Sequence, residues 1–246
     1  MKKLILLLTI VTFFGCHKDE VIESPQFIVG VISENSVYKK FDPPIQMIPE
    51  NIMYSSNILK DSIDVDNDGQ YDFVFICFNV LNNNILDKES YVTVSNSKFE
   101  IAYVDVTDTN NVYVSERNDT IYEYEYSYFK PFDIPYDSLI KEYYQTSESI
   151  ICENGTRPSE LNEWSTYNKL YFAVKDSTEY RWENLKQIRF TNIEKGIWNE
   201  AGAKYLVYRL KEENGLIYYG WLKVEINNYS NIKIYESCFQ KDGFHE

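Results

Sequence analysis

From Gln26 to the carboxyl end, apolar and polar residues alternate with a period of two, and clusters of Asn, Asp, Gly and Pro interrupt the alternation at short intervals. A pleated strand sends successive side chains to opposite faces, so this pattern predicts half-buried strands joined by turns. Strands are predicted over residues 27–33, 71–80, 91–94, 99–106, 112–115, 121–129, 150–153, 170–175, 188–191, 204–211, 216–226 and 232–239. Helix is expected only as short turns near 136–144, where Asp137 can cap, and near 181–187. The last third reads as a meander, since Glu212-Glu213-Asn214-Gly215 places a favourable Asn-Gly turn between two alternating runs. No linker, repeat or change of composition divides 26–246, which predicts a single all-β domain, an antiparallel β-sandwich with a jelly-roll-like order as one arrangement of it.

The amino end breaks this pattern. Met1-Lys2-Lys3 is basic, residues 4–14 are uncharged and strongly apolar, and His17-Lys18-Asp19-Glu20 is abruptly polar. Residues 1–15 therefore read as a signal peptide, too short for the ~20 residues of a spanning helix. Cys16, directly after Gly15, resembles the modified cysteine in the lipobox of bacterial lipoproteins. The resemblance implies that Cys16 carries lipid and that 16–25 is a polar tether; membrane contact is expected through that anchor alone. The acids Asp19, Glu20 and Glu23 resemble the post-cysteine segment of surface-exposed lipoproteins in Bacteroidota, which implies the cell envelope and the outer membrane as the address.

Charge and composition narrow the partners. Loss of residues 1–15 removes two lysines and no acid, taking the formal net charge from −14 to −16. Nucleic acid is excluded as a partner, because displacing condensed counterions needs a basic stripe and the lysines here are scattered among more numerous acids. The 22 tyrosines and 14 phenylalanines favour pleated, half-buried surfaces and so support the strand reading. In one run the rings of Tyr122, Tyr124, Tyr126 and Tyr128 share a face, expected to be a core wall. With Cys16 lipidated, an odd number of cysteines remains: Cys77 sits in an apolar run as an expected buried free thiol, and Cys152 with Cys238 is the candidate disulfide.

The stretch Asp64-Val65-Asp66-Asn67-Asp68-Gly69-Gln70-Tyr71-Asp72-Phe73 carries the most specific chemistry. Asp64, Asp66 and Asp68 stand at positions 1, 3 and 5 of a calcium loop, Gln70 can offer a backbone carbonyl at 7, Asp72 stands at 9, and Gly69 takes the sharp turn at 6. Calcium asks for six to eight hard oxygens, so this spacing makes Ca2+ the expected cofactor. Position 12 is Phe75, which supplies no bidentate carboxylate. The loop resembles the shorter aspartate loops of dockerin, thrombospondin type 3 and β-propeller proteins, with Asp61 or a distant carboxylate available to complete the shell. Affinity in the range of extracellular modules, on the order of 10⁻⁴ to 10⁻³ M, is expected.

Together with Tyr219-Gly220-Trp221-Leu222-Lys223-Val224 and Tyr235-Glu236, the loop is similar to a broad group of exported, envelope-anchored bacterial β-sandwich proteins. These combine an early DxDxDGxxDF segment with a late YGWxxV strand and a closing strand ending in YE. The resemblance covers about thirty residues. It implies a fold and an address, and the group has no shared reaction.

Histidine occurs only as His17 and His245, so triads and histidine-ligated zinc sites would have to recruit terminal residues. No catalytic residue is nominated. The leading expectation is a lipid-anchored, calcium-stabilised envelope protein with a binding or structural role toward a glycan or another envelope protein. Trp221 and Tyr219 are its candidate binding surface, provided they are exposed beside a groove. The alternative is a carboxylate-dependent glycan hydrolase, which needs two facing acids, one of them in an apolar setting.

Overall fold

The computed structural model describes residues 27–52, 55–82, 85–116, 138–166, 169–182 and 187–245. Thirteen strands follow in chain order: β1 Ser36–Met47, β2 Ser55–Ile63, β3 Phe73–Asn82, β4 Ile85–Val94, β5 Phe99–Glu116, β6 Ser138–Ser149, β7 Trp164–Ser165, β8 Leu170–Trp182, β9 Gln187–Lys195, β10 Lys204–Lys211, β11 Leu216–Asn227, β12 Asn231–Gln240 and β13 Phe244–His245. The fold is all-β, as the alternation predicts; among the described residues the only helical element is a 3₁₀ turn at Pro158–Glu160.

The strands form one continuous sheet in the order β1-β12-β11-β10-β5-β6-β8-β4-β3-β2, with β7, β9 and β13 pairing off this path. Every named pairing is antiparallel except a single parallel contact, Glu148 opposite Tyr171, between β6 and β8. The expected pair of stacked sheets is thus one sheet rolled nearly into a barrel. The length of β5 joins the halves: Phe99, Glu100 and Ile101 pair with β10, whereas Tyr103 to Val114 pair with β6.

Alternate residues fill the interior. Phe73, Phe75 and Cys77 of β3, Val92 of β4 and Phe172 of β8 meet Leu206 and Tyr208 of β10 and Val224 of β11 in the main core. Removing such side chains from water is the dominant favourable contribution to a fold of this kind. Gly220 of the late motif makes one close approach workable. It lies directly opposite Tyr208, whose ring crosses it so tightly that a Cβ at Gly220 would sit 2.2 Å from Tyr208 Cζ. The buried Tyr208 hydroxyl donates to Cys238 O at 3.1 Å.

A second cluster lies on the other face of β10, β11 and β12, where Tyr219, Trp221, Val207 and Cys238 meet Phe27, Val29 and Cys152. This explains why 27–33 is not a strand. The segment turns at Gly30 (φ 80°) and lays Phe27 and Val29 over the sheet as a cover.

Other expectations are corrected as well. Residues 150–153 make one isolated bridge, Cys152 opposite Tyr205, in place of a strand. The helical turn expected near 136–144 is strand β6 from Ser138 onward, and Arg181, Trp182 and Gln187 lie in β8 and β9. The run at 121–129, with its tyrosine ladder, lies outside the described residues, as do 1–26 with Cys16. Strands β1 and β2 were not expected. In β1 the register with β12 shifts between Lys40 and Ile45, where Pro43 and Pro44 remove two donors; an edge position tolerates this.

Cys77, Cys152 and Cys238 are free and buried. For Cys77 this agrees with the sequence reading, and burial pushes its thiol up to about 12. The Cys152–Cys238 disulfide is corrected for a geometric reason. Cys238 on β12 lies opposite Trp221 on β11, and Cys152 lies opposite Tyr205 on β10, so two strands stand between the cysteines. At the usual strand spacing their Cα atoms are roughly 14 Å apart, about twice the reach of a disulfide.

Candidate metal centre

Ile63, the last residue of β2, pairs with Phe73, the first of β3, so residues 64–72 close a hairpin at its tip. The ladder is carried one step into the loop, since Asp72 N donates to Ile63 O at 2.9 Å. Beyond that point the aspartates organise the backbone. Asp64 accepts from Asn67 N at 2.7 Å and from Gly69 N at 2.9 Å, Asp66 from Asp68 N at 3.1 Å, and Asp68 from Gln70 N at 2.7 Å. Short acidic side chains bonding a few residues ahead are the ordinary means of fixing a turn. Two residues need the left-handed region, Asn67 at φ 67° and Gly69 at φ 89°, and both are residue types that enter it readily.

Asp72 differs from the rest. It is fully buried, with Oδ2 accepting from Val65 N at 2.9 Å and Oδ1 from Asn96 Nδ2 at 3.2 Å. Its own carbonyl accepts from Ser95 N at 2.7 Å, which ties the hairpin tip to the turn between β4 and β5. Burial pushes the Asp72 carboxyl up to about 6, with the charges of Asp66 and Asp64 adding to the rise and the Val65 and Asn96 hydrogen bonds opposing it. Asp66 is raised too, by burial first and then by the neighbouring acids. Desolvated like charges disfavour the ionised state, and a bound cation reverses that preference.

Ligating oxygens of Asp64, Asp66 and Asp72 lie within 4.8 Å of one another. Two oxygens on opposite sides of a calcium ion stand about 4.6 to 5.2 Å apart, so the three fit one shell without collapse of the loop, and an all-carboxylate set suits a hard cation. Of the five residues expected from sequence, these three converge. Asp68 accepts from Gln70 N and is not one of the converging acids, and Gln70 takes part in the loop as that donor. Asp61 accepts from Ser62 N at 2.7 Å within β2 and is not one of the converging acids. Asn96, which positions Asp72 from 24 residues away, carries no signal in sequence spacing.

Trp221 and Tyr219 are not a surface. Trp221 is 1% exposed between Tyr38 and Tyr205, and Tyr219 packs against Phe27, Trp164 and Phe244. Within the strand motif Tyr219 and Trp221 serve the second hydrophobic cluster, while Leu222 and Val224 belong to the main core. Tyr235 and Glu236 make contacts within the sheet, Tyr235 donating to Glu225 and Glu236 standing 3.8 Å from Lys223.

Comparison with protein-family models, with curated proteins and with solved structures gives no match. The chemistry of the chain's own residues is therefore the ground for function.

Proposed function

We propose that this chain is a lipid-anchored protein of the bacterial cell envelope, its β-fold fastened by a calcium ion held at residues 64–72, with a binding or structural role there. One observation carries the calcium assignment: Asp64, Asp66 and the buried Asp72 converge at the tip of a hairpin that is tied to a second turn. Four acids in nine residues repel one another without a cation, and a divalent ion converts that repulsion into order. The address follows from the signal-like amino end and Cys16.

Thermal unfolding in calcium and in EGTA tests the ion. Replacing Asp66 and Asp68 with Ala lowers the melting temperature in calcium toward the chelated value; an unchanged calcium-dependent shift refutes the ligand assignment. A Cys16→Ser variant that still partitions with membranes after fractionation refutes the anchor.

The glycan-hydrolase alternative has one point in its favour. Asp87 on β4 lies directly opposite Asp176 on β8, and burial, with Glu89 and Asp176 nearby, pushes Asp87 up to about 7. Cross-strand carboxylates approach the short separation that retaining glycosidases use. Neither lines the cleft bounded by Asp66, Lys98, Tyr218 and Phe239, so the binding role is preferred. Release of reducing sugar from a glycan panel, abolished by Asp87→Asn, would reverse that preference.

A further inference from the structure

One end of the main core finishes in a cleft of about 290 Å³, with the 64–72 loop and the β4–β5 turn on one side and the ends of β10, β11 and β12 on the other. The floor is apolar. Leu210, Tyr218 and Phe239 belong to the main core at that end, and the Tyr218 and Phe239 rings stand 6.1 Å apart. Gly243 lies close beside Tyr218, where a Cβ would come within 2.9 Å of its ring. The rim is polar, with Asp66, Asp68 and Glu212 as acceptors and Lys98 and Lys241 as donors. Neither lysine ammonium has an ion-pair or hydrogen-bond partner among the described residues.

Size, charge and coordination together select a ligand class. The volume stands at the small end of binding pockets, enough for one six-membered ring with its substituents. With a divalent ion in the loop, the five acids Asp64, Asp66, Asp68, Asp72 and Glu212 still exceed the ion and the two lysines by one charge. A carboxylate or phosphate gains no net attraction there. Three converging carboxylates leave part of a six-to-eight oxygen shell open, and Asp66 belongs both to the shell and to the cleft wall.

We propose that the cleft binds a neutral, pyranose-sized sugar, with adjacent hydroxyls completing the calcium shell beside Asp66 and an apolar ring face resting on Tyr218 and Phe239. Lys98 and Lys241 donate to the remaining hydroxyls, and Glu212 accepts from them. The assignment rests on calcium occupying the loop, and it gives the binding role a ligand class.

Isothermal titration of the chain from Cys16 onward tests it, using methyl glucoside, methyl galactoside and methyl mannoside, with glucuronate as the anionic control, in calcium and in EGTA. At least one methyl glycoside is expected to bind in calcium. Its affinity should fall by about tenfold or more in EGTA, in Tyr218→Ala and in the exposed Lys98→Gln/Lys241→Gln double variant. Both variants should keep the calcium-dependent melting shift, which separates loss of the sugar contact from loss of the fold or the ion. Binding that is equal in EGTA, or a preference for glucuronate, overturns the proposal. So does silence toward every glycoside while the calcium shift is intact, which leaves the metal assignment standing. Absence of any calcium shift overturns both together.

Discussion

Two acidic turns containing Asn and Gly close hairpins in this chain, residues 64–72 between β2 and β3 and residues 212–215 between β10 and β11, and only the first gathers carboxylates. In the shorter turn Gly215 N donates to Glu212 O at 3.0 Å, Leu216 N to Asn214 Oδ1 at 2.9 Å, and Asn214 Nδ2 to Glu212 Oε2 at 2.9 Å. Those acids stay in solvent. The longer turn uses the same local bonds, but Asp72 is drawn into the protein, with Asp64 and Asp66 held close to it. A buried charge needs compensation that an exposed one obtains from water, so depth is what distinguishes the turn whose carboxylates could hold a metal ion.

The largest effect expected to separate the two turns is that of calcium itself. At a hundredfold excess over its dissociation constant the ion adds about 2.7 kcal/mol to the folded state, so melting in EGTA falls by several degrees. Asp72→Ala should erase that difference, whereas Glu212→Ala should leave it whole.

The pH dependence in EGTA comes next. The folded Asp72 binds its proton more tightly than the ordinary value of 3.8, so its contribution is full below about pH 4 and is lost as pH rises through about 6. The loss amounts to about 2 to 3 kcal/mol. Wild type should therefore lose more stability than Asp72→Asn between about pH 4 and pH 7, as pH-resolved melting would record. Asp87, pushed up to about 7, adds a slope common to both proteins, so the difference between them is the quantity to measure.

Glycine substitutions are smaller. Gly69 (φ 89°) and Gly215 (φ 85°) both have open space where a Cβ would stand, so alanine at either should cost only the left-handed penalty of about 1 kcal/mol in EGTA. In calcium the deficit should widen for Gly69→Ala alone. The smallest effect is Glu212→Ala on stability, within about 0.5 kcal/mol in either condition. A stability deficit in either 212–215 variant that changes on adding calcium would erase the distinction between the turns.

What sequence reveals and hides follows from the same difference. Strand β10 is expected at the observed residues and β11 and β12 nearly so, because each is a strand-length run rich in apolar residues that ends at a turn, with Leu206, Leu222 and Ile234 among the buried side chains. The aspartate loop was legible through its spacing. Strand β2 was missed because an edge strand buries little, and Ile58 stands 55% exposed. Strand β1 was hidden by Lys39, Lys40, Pro43 and Pro44. Alternation puts Tyr219 and Trp221 on one face of the strand. It carries no information about what covers that face, and the cover comes from Phe27 and Val29, far away in the chain. The Asn96 contact to Asp72 and the Cys152–Cys238 separation depend likewise on strand order, which periodicity leaves unspecified.

The pairing of β1 with β12 reaches beyond the folded state. Ser36 lies opposite Gln240, so one edge of the sheet is built from the two distant ends of the described chain. A ribosome delivers the amino end first, and β1 has no sheet partner until residues 231–240 have emerged. Closure is therefore a late, nonlocal event, of the kind that slows folding. A nascent chain therefore lacks this edge pairing until residues 231–240 have emerged, and β1 waits unpaired while the strands between are made.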